Sequence, residues 1–320
     1  MPIRIISTLF AILLAVTASA NSQNIKKQQV EARAIWLDAA SIPKDQDGIK
    51  KLVAQIRQAN LNIIMPEVIH RGYTIYPSKV TQQESKWIGC DPLAALIKQA
   101  HKYGIEVHPW VHVFRQGYEK YKGPILTAHP GWTAKNKSGE ELSANGGYWI
   151  CPSEPAARDY LSALFTELVT RYDVDGLHLD YIRFENQSPV PYCYNDTCRT
   201  GFRNEYGIDP LDIDPFSPNQ IAWHLWRERQ INTFVQRIAT EARKTRPQIK
   251  ISAAVGADPV AARIDLLQNW VNWADNKWVD FICPMAYTSD ETRFTDFITK
   301  ELKLSFTIKS LISSKMSIGK

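Results

Sequence analysis

The sequence lacks the short motifs of several common enzyme classes. It has no glycine-rich phosphate-binding loop, no serine nucleophile elbow, and no cysteine–histidine pair on strand-like segments. Its five cysteines do not follow the spacing of a zinc site. We therefore do not expect phosphoryl transfer, serine-hydrolase chemistry or cysteine-protease chemistry, and we expect no cofactor.

Long apolar runs are missing from the chain except at its beginning. One basic residue precedes an apolar run that ends at Val16, and three small residues ending at Ala20 fit a cleavage site. The run is too short to span a membrane comfortably. We expect a signal peptide over residues 1–20, cleaved near Ala20, and a linker over residues 21–30. The mature protein should be periplasmic or extracellular, without stable membrane insertion.

Excess charge is also missing from the body of the chain, although the formal net charge is +5. Most of that excess lies in a lysine- and serine-rich tail over residues 300–320, and the remainder is Arg4. A nucleic-acid-binding protein would carry a basic face on its body. We therefore expect no nucleic-acid partner.

The chain has few cysteines, and their spacing favours one disulfide. Cys193 and Cys198 enclose four residues and could form a small disulfide in an oxidising compartment. Cys90 and Cys151 could also pair, which the sequence leaves open. Cys283 lies in an apolar segment and is expected to be a buried free thiol.

Strand-like apolar runs alternate with amphipathic helices along residues 31–299, which predicts a parallel sheet with helices outside. The predicted strands are 32–38, 62–69, 106–113, 176–182, 250–255 and 281–287. Long segments after the third and fourth strands are typical of a barrel whose site lies at the carboxyl ends of its strands. The predicted fold is α/β, a (β/α)8 TIM-type barrel.

Only six strand–helix units are visible in that barrel. Residues 312–319 could supply part of a seventh strand, and two full units would need about 60 more residues at roughly 30 per unit. We interpret the chain as a C-terminally incomplete barrel, truncated or frameshifted in the tail. A naturally shorter barrel whose tail covers the gap is the alternative.

The most informative segment is the fourth strand, which ends in charged residues. His178, Asp180 and Ile182 share one face because side chains alternate along a strand. A carboxylate on an otherwise apolar strand is costly unless it is paired or used. Asp180 is therefore the first candidate for a catalytic carboxylate, the alternative being that it caps the next loop or pairs with Arg183.

Other strands also end in polar side chains, and a parallel barrel brings such ends to one pocket. Glycosidic cleavage needs a second carboxyl group, for which Glu67 and Asp258 are the candidates. Each has a simpler interpretation, since Glu67 could pair with Arg71 and Asp258 could cap the turn before Pro259. The expected substrate-binding residues are Asp38, His70, Trp110, His112, His178, Arg183 and Tyr287.

A metal site is the competing interpretation of the histidines. His108 and His112 share a strand face, and with His70 or Asp180 they could bind zinc in a hydrolase or deacetylase. The motif is weak, and histidines in barrel pockets often contact substrate directly. We expect no metal ligand among these residues.

Several ordered blocks resemble those of the glycosyl-hydrolase-like 10 family over about residues 31–287. The blocks begin at Arg33 (RAIWL), Tyr76 (YPS), Asp91 (DPL), Ala100 (AHKYGI), His129 (HPGW), Arg171 (RYDVDGLHLDYIRF), Trp226 (WR) and Val279 (VDFICPMAY). The resemblance implies a (β/α)8 barrel, export, and hydrolysis of glycosidic bonds, with bacterial cell-wall glycan as substrate. The family's acidic residue at the end of strand four corresponds to Asp180. Tyr181 stands where many members have a second aspartate, and Met285 where many have glutamine.

These observations predict an exported glycoside hydrolase that acts on a polysaccharide. The ten tryptophans suit a carbohydrate partner, because aromatic faces stack on sugar rings. Two alternatives remain at this point: a carbohydrate-binding pseudoenzyme, and the metal-dependent hydrolase or deacetylase.

Overall fold

The structure, a computed structural model, describes residues 31–187 and 190–304. Its strands are β1 Ala34–Leu37, β2 Ile63–His70, β3 Tyr73–Thr74, β4 Glu106–Val107, β5 Trp110–His112, β6 Arg115–Tyr118, β7 Gly147–Trp149, β8 Gly176–Asp180, β9 Lys250–Val255 and β10 Phe281–Pro284. Its α-helices are α1 Gln46–Gln58, α2 Pro92–His101, α3 Gly123–Ala128, α4 Pro155–Arg171, α5 Asp196–Tyr206, α6 Pro218–Thr245, α7 Pro259–Leu266, α8 Trp270–Asp275 and α9 Glu291–Leu304. Short 3-10 turns lie at Ala39–Ser41, Ser85–Trp87, Pro130–Trp132 and Pro210–Asp212.

A parallel sheet runs through the described residues in the order β1-β2-β5-β8-β9-β10. Strand β4 pairs with β2 ahead of β5, and β3 folds back antiparallel on β2. Every residue of β8 is buried, as expected for a parallel strand covered on both faces. The predicted α/β barrel class is confirmed, with six parallel strand positions in the part of the chain that is described.

The sheet curls so that side chains from distant strands pack together on its inner face. Ile63 and Met65 on β2 pack in one small cluster with Phe281 and Cys283 on β10. These strands are four places apart in the sheet, so a flat sheet could not bring their side chains together. The curl points the carboxyl ends of all six strands toward a common opening.

Helix ends follow their sequence signals. The side chain of Asp91 caps α2 by accepting a hydrogen bond from the Ala94 amide, and Pro92 occupies the first turn. Helix α6 also begins with a proline and ends two residues before Pro247. Buried tryptophans on α6, including Trp223, hold this long helix against the rest of the core.

Three predicted segments contain more structure than expected. The stretch after β5 holds the antiparallel pair β6–β7 and helix α3, and the stretch after β8 holds α5. The stretch after β9, where the strand–helix alternation predicts one helix, holds the two helices α7 and α8, because Leu267 adopts a left-handed backbone with φ of 56°. The buried side chain of Gln268 then bonds back to Ala254 and Gly256.

The third predicted strand is divided between β4 and β5. Pro109 stands at the break and has no amide hydrogen to donate to a sheet. The predicted signal peptide, the linker, the seventh strand over 312–319 and most of the basic tail lie outside the described residues. The described residues from Ala32 onward belong to one compact unit. Among the described helices, none combines the length and the apolar character needed to cross a membrane.

The cysteine predictions hold where the structure tests them. Cys193 and Cys198 are joined as a disulfide. Cys283 is buried and free, as expected. Cys90 and Cys151 are both free, so the second possible disulfide does not form.

Candidate active site

Three neighbouring strands bring the candidate carboxylates to one end of the sheet. Glu67 on β2 stands beside Trp110 on β5, and His112 on β5 stands beside Asp180 on β8. Strand β5 therefore lies between the two carboxylates. Its Trp110 side chain contacts Asp180, and its His112 side chain contacts Glu67. This is the carboxyl end of a parallel sheet, where barrel enzymes hold their catalytic groups.

Glu67 is held as an anion by surrounding donors and cations. Its Oε2 accepts a hydrogen bond of 2.9 Å from the Ala39 amide, and its Oε1 lies 3.1 Å from His112 Nε2. His70 Nδ1 lies 3.8 Å from Oε2. Burial alone would raise the pKa of Glu67, but His112, the Ala39 amide and His70 together lower it to about 2. At neutral pH this carboxylate can serve as a base or a nucleophile.

Asp180 is buried and bonded through both oxygens. Its Oδ2 accepts a hydrogen bond of 3.0 Å from Trp110 Nε1, and its Oδ1 accepts one of 2.6 Å from the Tyr181 amide. Tyr181 has a left-handed backbone, with φ of 51°, which is uncommon for a bulky residue. Such strained positions concentrate at functional sites. The hydrogen bond from the Tyr181 amide to Asp180 caps the loop after β8, which was the alternative role predicted for Asp180.

Aromatic rings and cations fill the space beyond Asp180. The Arg183 guanidinium lies 5.0 Å from the centre of the Trp149 ring and 5.3 Å from that of Tyr181. Arg115 approaches Tyr181 within 5.2 Å and donates a hydrogen bond to its hydroxyl. Arg183 therefore stacks on aromatic rings, and burial lowers its pKa despite the charge of Asp180.

A cavity of about 530 Å³ opens beside Glu67. Four of the predicted site residues line it, namely Asp38, Glu67, His70 and His112. Other lining side chains are Arg71, Glu84, Lys86, Arg115 and Tyr118. The contributions of Glu84, Lys86 and Tyr118 could not be predicted, because these residues lie in segments without a predicted strand end.

Two predicted residues sit at the edge of the site rather than inside it. Asp38 is exposed at the mouth of the cavity, directly after β1. Tyr287 is 65% exposed, and its partly covered hydroxyl has a pKa that burial and the charge of Asp180 raise. Tyr287 therefore lies on the Asp180 side of the opening. Arg71, proposed as a partner of Glu67, lies instead over the Tyr118 ring at 4.7 Å.

The expected substrate contact of His178 needs correction. His178 is fully buried, its Nε2 accepts a hydrogen bond from Trp36 Nε1, and its Nδ1 lies 2.9 Å from Ser252 Oγ. Burial and the nearby His108 lower its pKa to about 3, so the ring is neutral. Both nitrogens are engaged within the sheet interior, which makes His178 a packing residue one layer deeper than Asp180.

Asp258 is likewise corrected as a candidate for the second carboxylate. It caps α7 by accepting hydrogen bonds from the amides of Val260 and Ala261, and it pairs with Lys300 at 3.0 Å. These donors, with the Lys300 charge, lower its pKa. It lines a separate surface depression with Val260 and Lys300, so the simpler interpretation of a helix cap is the one the structure supports.

The cap assignment predicts a stability effect for Asp258. Replacing Asp258 by alanine removes the acceptor for two amides of α7 and should lower the free energy of unfolding by about 1 kcal/mol. Asp258→Asn keeps a capping oxygen and should cost less. Urea denaturation of both variants measures the difference, and equal losses in the two would contradict a capping role.

The histidines considered in the competing metal-site interpretation contact different partners. His108 Nε2 lies 2.9 Å from Glu106, whereas His112 contacts Glu67. Within residues 31–187 and 190–304, the group of three potential ligands close enough to share an ion is Cys151, Cys193 and Cys198.

Comparison with known proteins places this geometry in context. The chain is similar to the glycosyl hydrolase YngK of Bacillus subtilis (strain 168), with 22% identity over 317 residues, covering 87% of this chain and 57% of YngK. It is 20% identical over 259 residues to the glycosyl hydrolase DigH of Escherichia coli (strain K12), covering 72% of this chain and 56% of DigH. The chain thus spans little more than half the length of these relatives.

Solved structures with a similar fold include two whose names describe glycoside hydrolases. The PgaB (BpsB) glycoside hydrolase domain from Bordetella bronchiseptica superposes with a TM-score of 0.68 at 14% identity, covering 86% of this chain and 81% of that one. A beta-galactosidase from Bacillus circulans sp. alkalophilus gives a TM-score of 0.60 at 15% identity, covering 86% and 42%. At these identities the likeness shows the fold alone. The sequence profile described as glycosyl hydrolase-like 10 matches residues 31–314, and the chain therefore belongs to the glycosyl hydrolase-like 10 family.

Proposed function

We propose that this chain is an exported glycoside hydrolase that cleaves the glycan strands of the bacterial cell wall. The observation that carries the proposal is the pair of buried carboxylates, Glu67 in the carboxyl-terminal half of β2 and Asp180 at the end of β8. Glycosidic cleavage needs one carboxyl group to donate a proton and a second to act as nucleophile or base.

The surroundings of Glu67 favour one of these roles, and the other is assigned to Asp180 by elimination. Glu67 is kept ionised by His112, the Ala39 amide and His70, which suits the nucleophile or base. Asp180 is then the proton donor, oriented by the Trp110 indole and the Tyr181 amide.

Sugar binding is assigned to the side chains around the opening. Tyr118 lines the cavity, and the exposed ring of Tyr287 stands near Asp180, so both offer apolar faces of the kind that stack on sugars. Asp38 and Arg115 offer hydrogen-bonding groups at the same cavity. Family membership and the names of the relatives support the glycosidase class, and the apolar N-terminal segment supports export.

Product release from purified cell-wall glycan strands tests the proposal. We expect the full chain to release new reducing ends over time, with fragment masses that differ by whole saccharide units. The same rate in the presence of EDTA would separate this mechanism from a metal-dependent hydrolase. A deacetylase would release acetate without shortening the strands.

A carbohydrate-binding protein without turnover is the second candidate. It is favoured by one observation: both oxygens of Asp180 are already engaged as hydrogen-bond acceptors, from Trp110 Nε1 and the Tyr181 amide. Pulldown of glycan strands with no new reducing ends would establish this role and would contradict the hydrolase.

A further inference from the structure

Three cysteine sulfurs meet at a buried point away from the Glu67 cavity. Cys193 and Cys198 are joined, and Cys151 Sγ lies 3.0 Å from each of these two sulfurs. All three side chains are fully buried. We call Cys151, Cys193 and Cys198 the sulfur cluster.

The position of Cys151 does not suit exchange with the disulfide. Exchange proceeds by attack of a thiolate on one disulfide sulfur, and the attack comes along the S–S axis, opposite the leaving sulfur. Cys151 Sγ is equally distant from both sulfurs and therefore stands beside the bond. Reduction of the bond would instead place three thiol groups close enough together to share one metal ion.

A buried cation beside the sulfur cluster provides a second, independent observation. Arg227 is 2% exposed, and a guanidinium remains protonated in proteins. Its Nη1 donates to the side-chain oxygen of Gln187 and the carbonyl of Tyr192. Its Nε donates to the carbonyl of Trp223. The hydrogen bonds recorded for Arg227 among the described residues thus all go to neutral acceptors.

That charge calls for a compensating anion, because an unbalanced charge is costly inside a protein. Cys151 lies near enough for an ionised sulfur to attract Arg227. With a disulfide and one neutral thiol beside it, the guanidinium has neutral acceptors and the Trp223 ring, 4.8 Å away, as its described contacts. Three thiolates on a divalent ion carry a single net negative charge, which Arg227 balances.

We propose that the sulfur cluster binds one Zn²⁺ ion once the Cys193–Cys198 bond is reduced. A dithiol reductant supplies two electrons and two protons to that bond, giving two thiols while the reductant becomes a disulfide. Zinc binding then releases the three thiol protons to solvent. The Ser153 hydroxyl lies 3.4 Å from Cys193 Sγ, and a water molecule beside it would complete the tetrahedral set.

A zinc ion there would fasten two segments at the carboxyl side of the sheet. Cys151 lies between β7 and α4, and the other two cysteines flank the start of α5. Trp149, two residues before Cys151, packs against Tyr181 and Arg183. The ion would therefore stabilise the aromatic wall behind Asp180.

Zinc titration of the full chain, reduced and kept free of oxygen, tests the proposal. We expect one equivalent of Zn²⁺ to bind and to protect Cys151, Cys193 and Cys198 from alkylation, mapped by mass spectrometry of peptides. Co²⁺ in place of Zn²⁺ should give thiolate charge-transfer absorption. Alkylation of Cys151 at the same rate with and without Zn²⁺ would overturn the proposal, and this mapping needs no variant.

Matched variants sharpen the result. Cys151→Ser should weaken Zn²⁺ binding by more than about 100-fold, since even residues that only orient a ligand cost 10- to 100-fold. Cys90→Ser removes a cysteine outside the sulfur cluster and should bind Zn²⁺ as the unaltered chain does. Equal affinity in Cys151→Ser and Cys90→Ser would overturn the assignment. These readouts do not depend on glycan cleavage, so they stand apart from the proposed hydrolase activity.

Discussion

Asp180→Asn should lower the rate of glycan cleavage by at least about 100-fold, the usual contribution of a proton-transferring group. The substitution keeps the size of the side chain but removes the group that donates the proton. One of its two hydrogen bonds, to Trp110 Nε1 or to the Tyr181 amide, also loses its acceptor. That loss should cost about 1 kcal/mol of stability, which leaves the fold intact. Initial rates of reducing-end release measure the effect.

Two matched variants separate catalysis from local structure. Trp110→Phe removes the indole bond but leaves the Asp180 carboxyl group in place, so its loss of rate should be much smaller. Asp258→Asn changes another aspartate that follows a strand, and it should cleave at the unaltered rate because Asp258 caps a helix. Full activity in Asp180→Asn, or a loss confined to Asp258→Asn, would show that the proton donor has been misassigned.

Glu67→Gln should abolish glycan cleavage. It should also remove the pH-dependent part of the free energy of unfolding that Glu67 contributes. Burial opposes ionisation of Glu67, but His112, the Ala39 amide and His70 lower its pKa from 4.5 to about 2. Because the pKa is lower in the folded protein, the stabilisation is present above pH 4.5 and is lost as the pH falls toward 2. Its size is on the order of 3 kcal/mol, from 1.36 kcal/mol per pKa unit. Glutamine should therefore lower stability at neutral pH and flatten the pH dependence in that window.

Glu106→Gln is the comparison for this prediction. The hydrogen bond from His108 lowers the pKa of Glu106 to about 2, against burial and together with Lys250. Glu106 lies at the amino end of β4, away from the cavity, and is more exposed than Glu67. Replacing Glu106 should change the free energy of unfolding at low pH by less than replacing Glu67 does, because solvent screens the Glu106–His108 pair. It should leave the cleavage rate unchanged. Urea denaturation between pH 2 and pH 7, with rates at neutral pH, checks both variants; equal losses of activity would argue against a direct role for Glu67.

The position of Asp180 could be predicted because strand position and polarity are local properties. A buried run that ends in a carboxylate identifies both the strand and its functional end. The second carboxylate could not be chosen in this way, because Glu67 and Asp258 both follow strand-like runs. The choice depends on whether the backbone continues as strand or turns into a helix. Asp258 lies at such a turn, and its carboxylate is occupied by the first amides of α7.

His178 illustrates a different limit. Alternation along a strand places it on the same face as Asp180, which is correct, but it says nothing of depth along the barrel axis. Depth comes from the register between strands, which sets His178 beside Trp110 and Ser252. The sequence of one strand does not contain that register. The aromatic contacts of Tyr181 were missed for the same reason, since Trp149 and Arg115 come from β7 and β6.

The left-handed backbone of Tyr181 has a thermodynamic consequence for the neighbouring carboxylate. Its ring is held by Arg115 and Arg183, and its amide holds Asp180 Oδ1. Little side-chain entropy is then left for Asp180 to lose when a substrate arrives, because folding has already ordered it. Binding of the glycan should therefore cost little ordering entropy at Asp180.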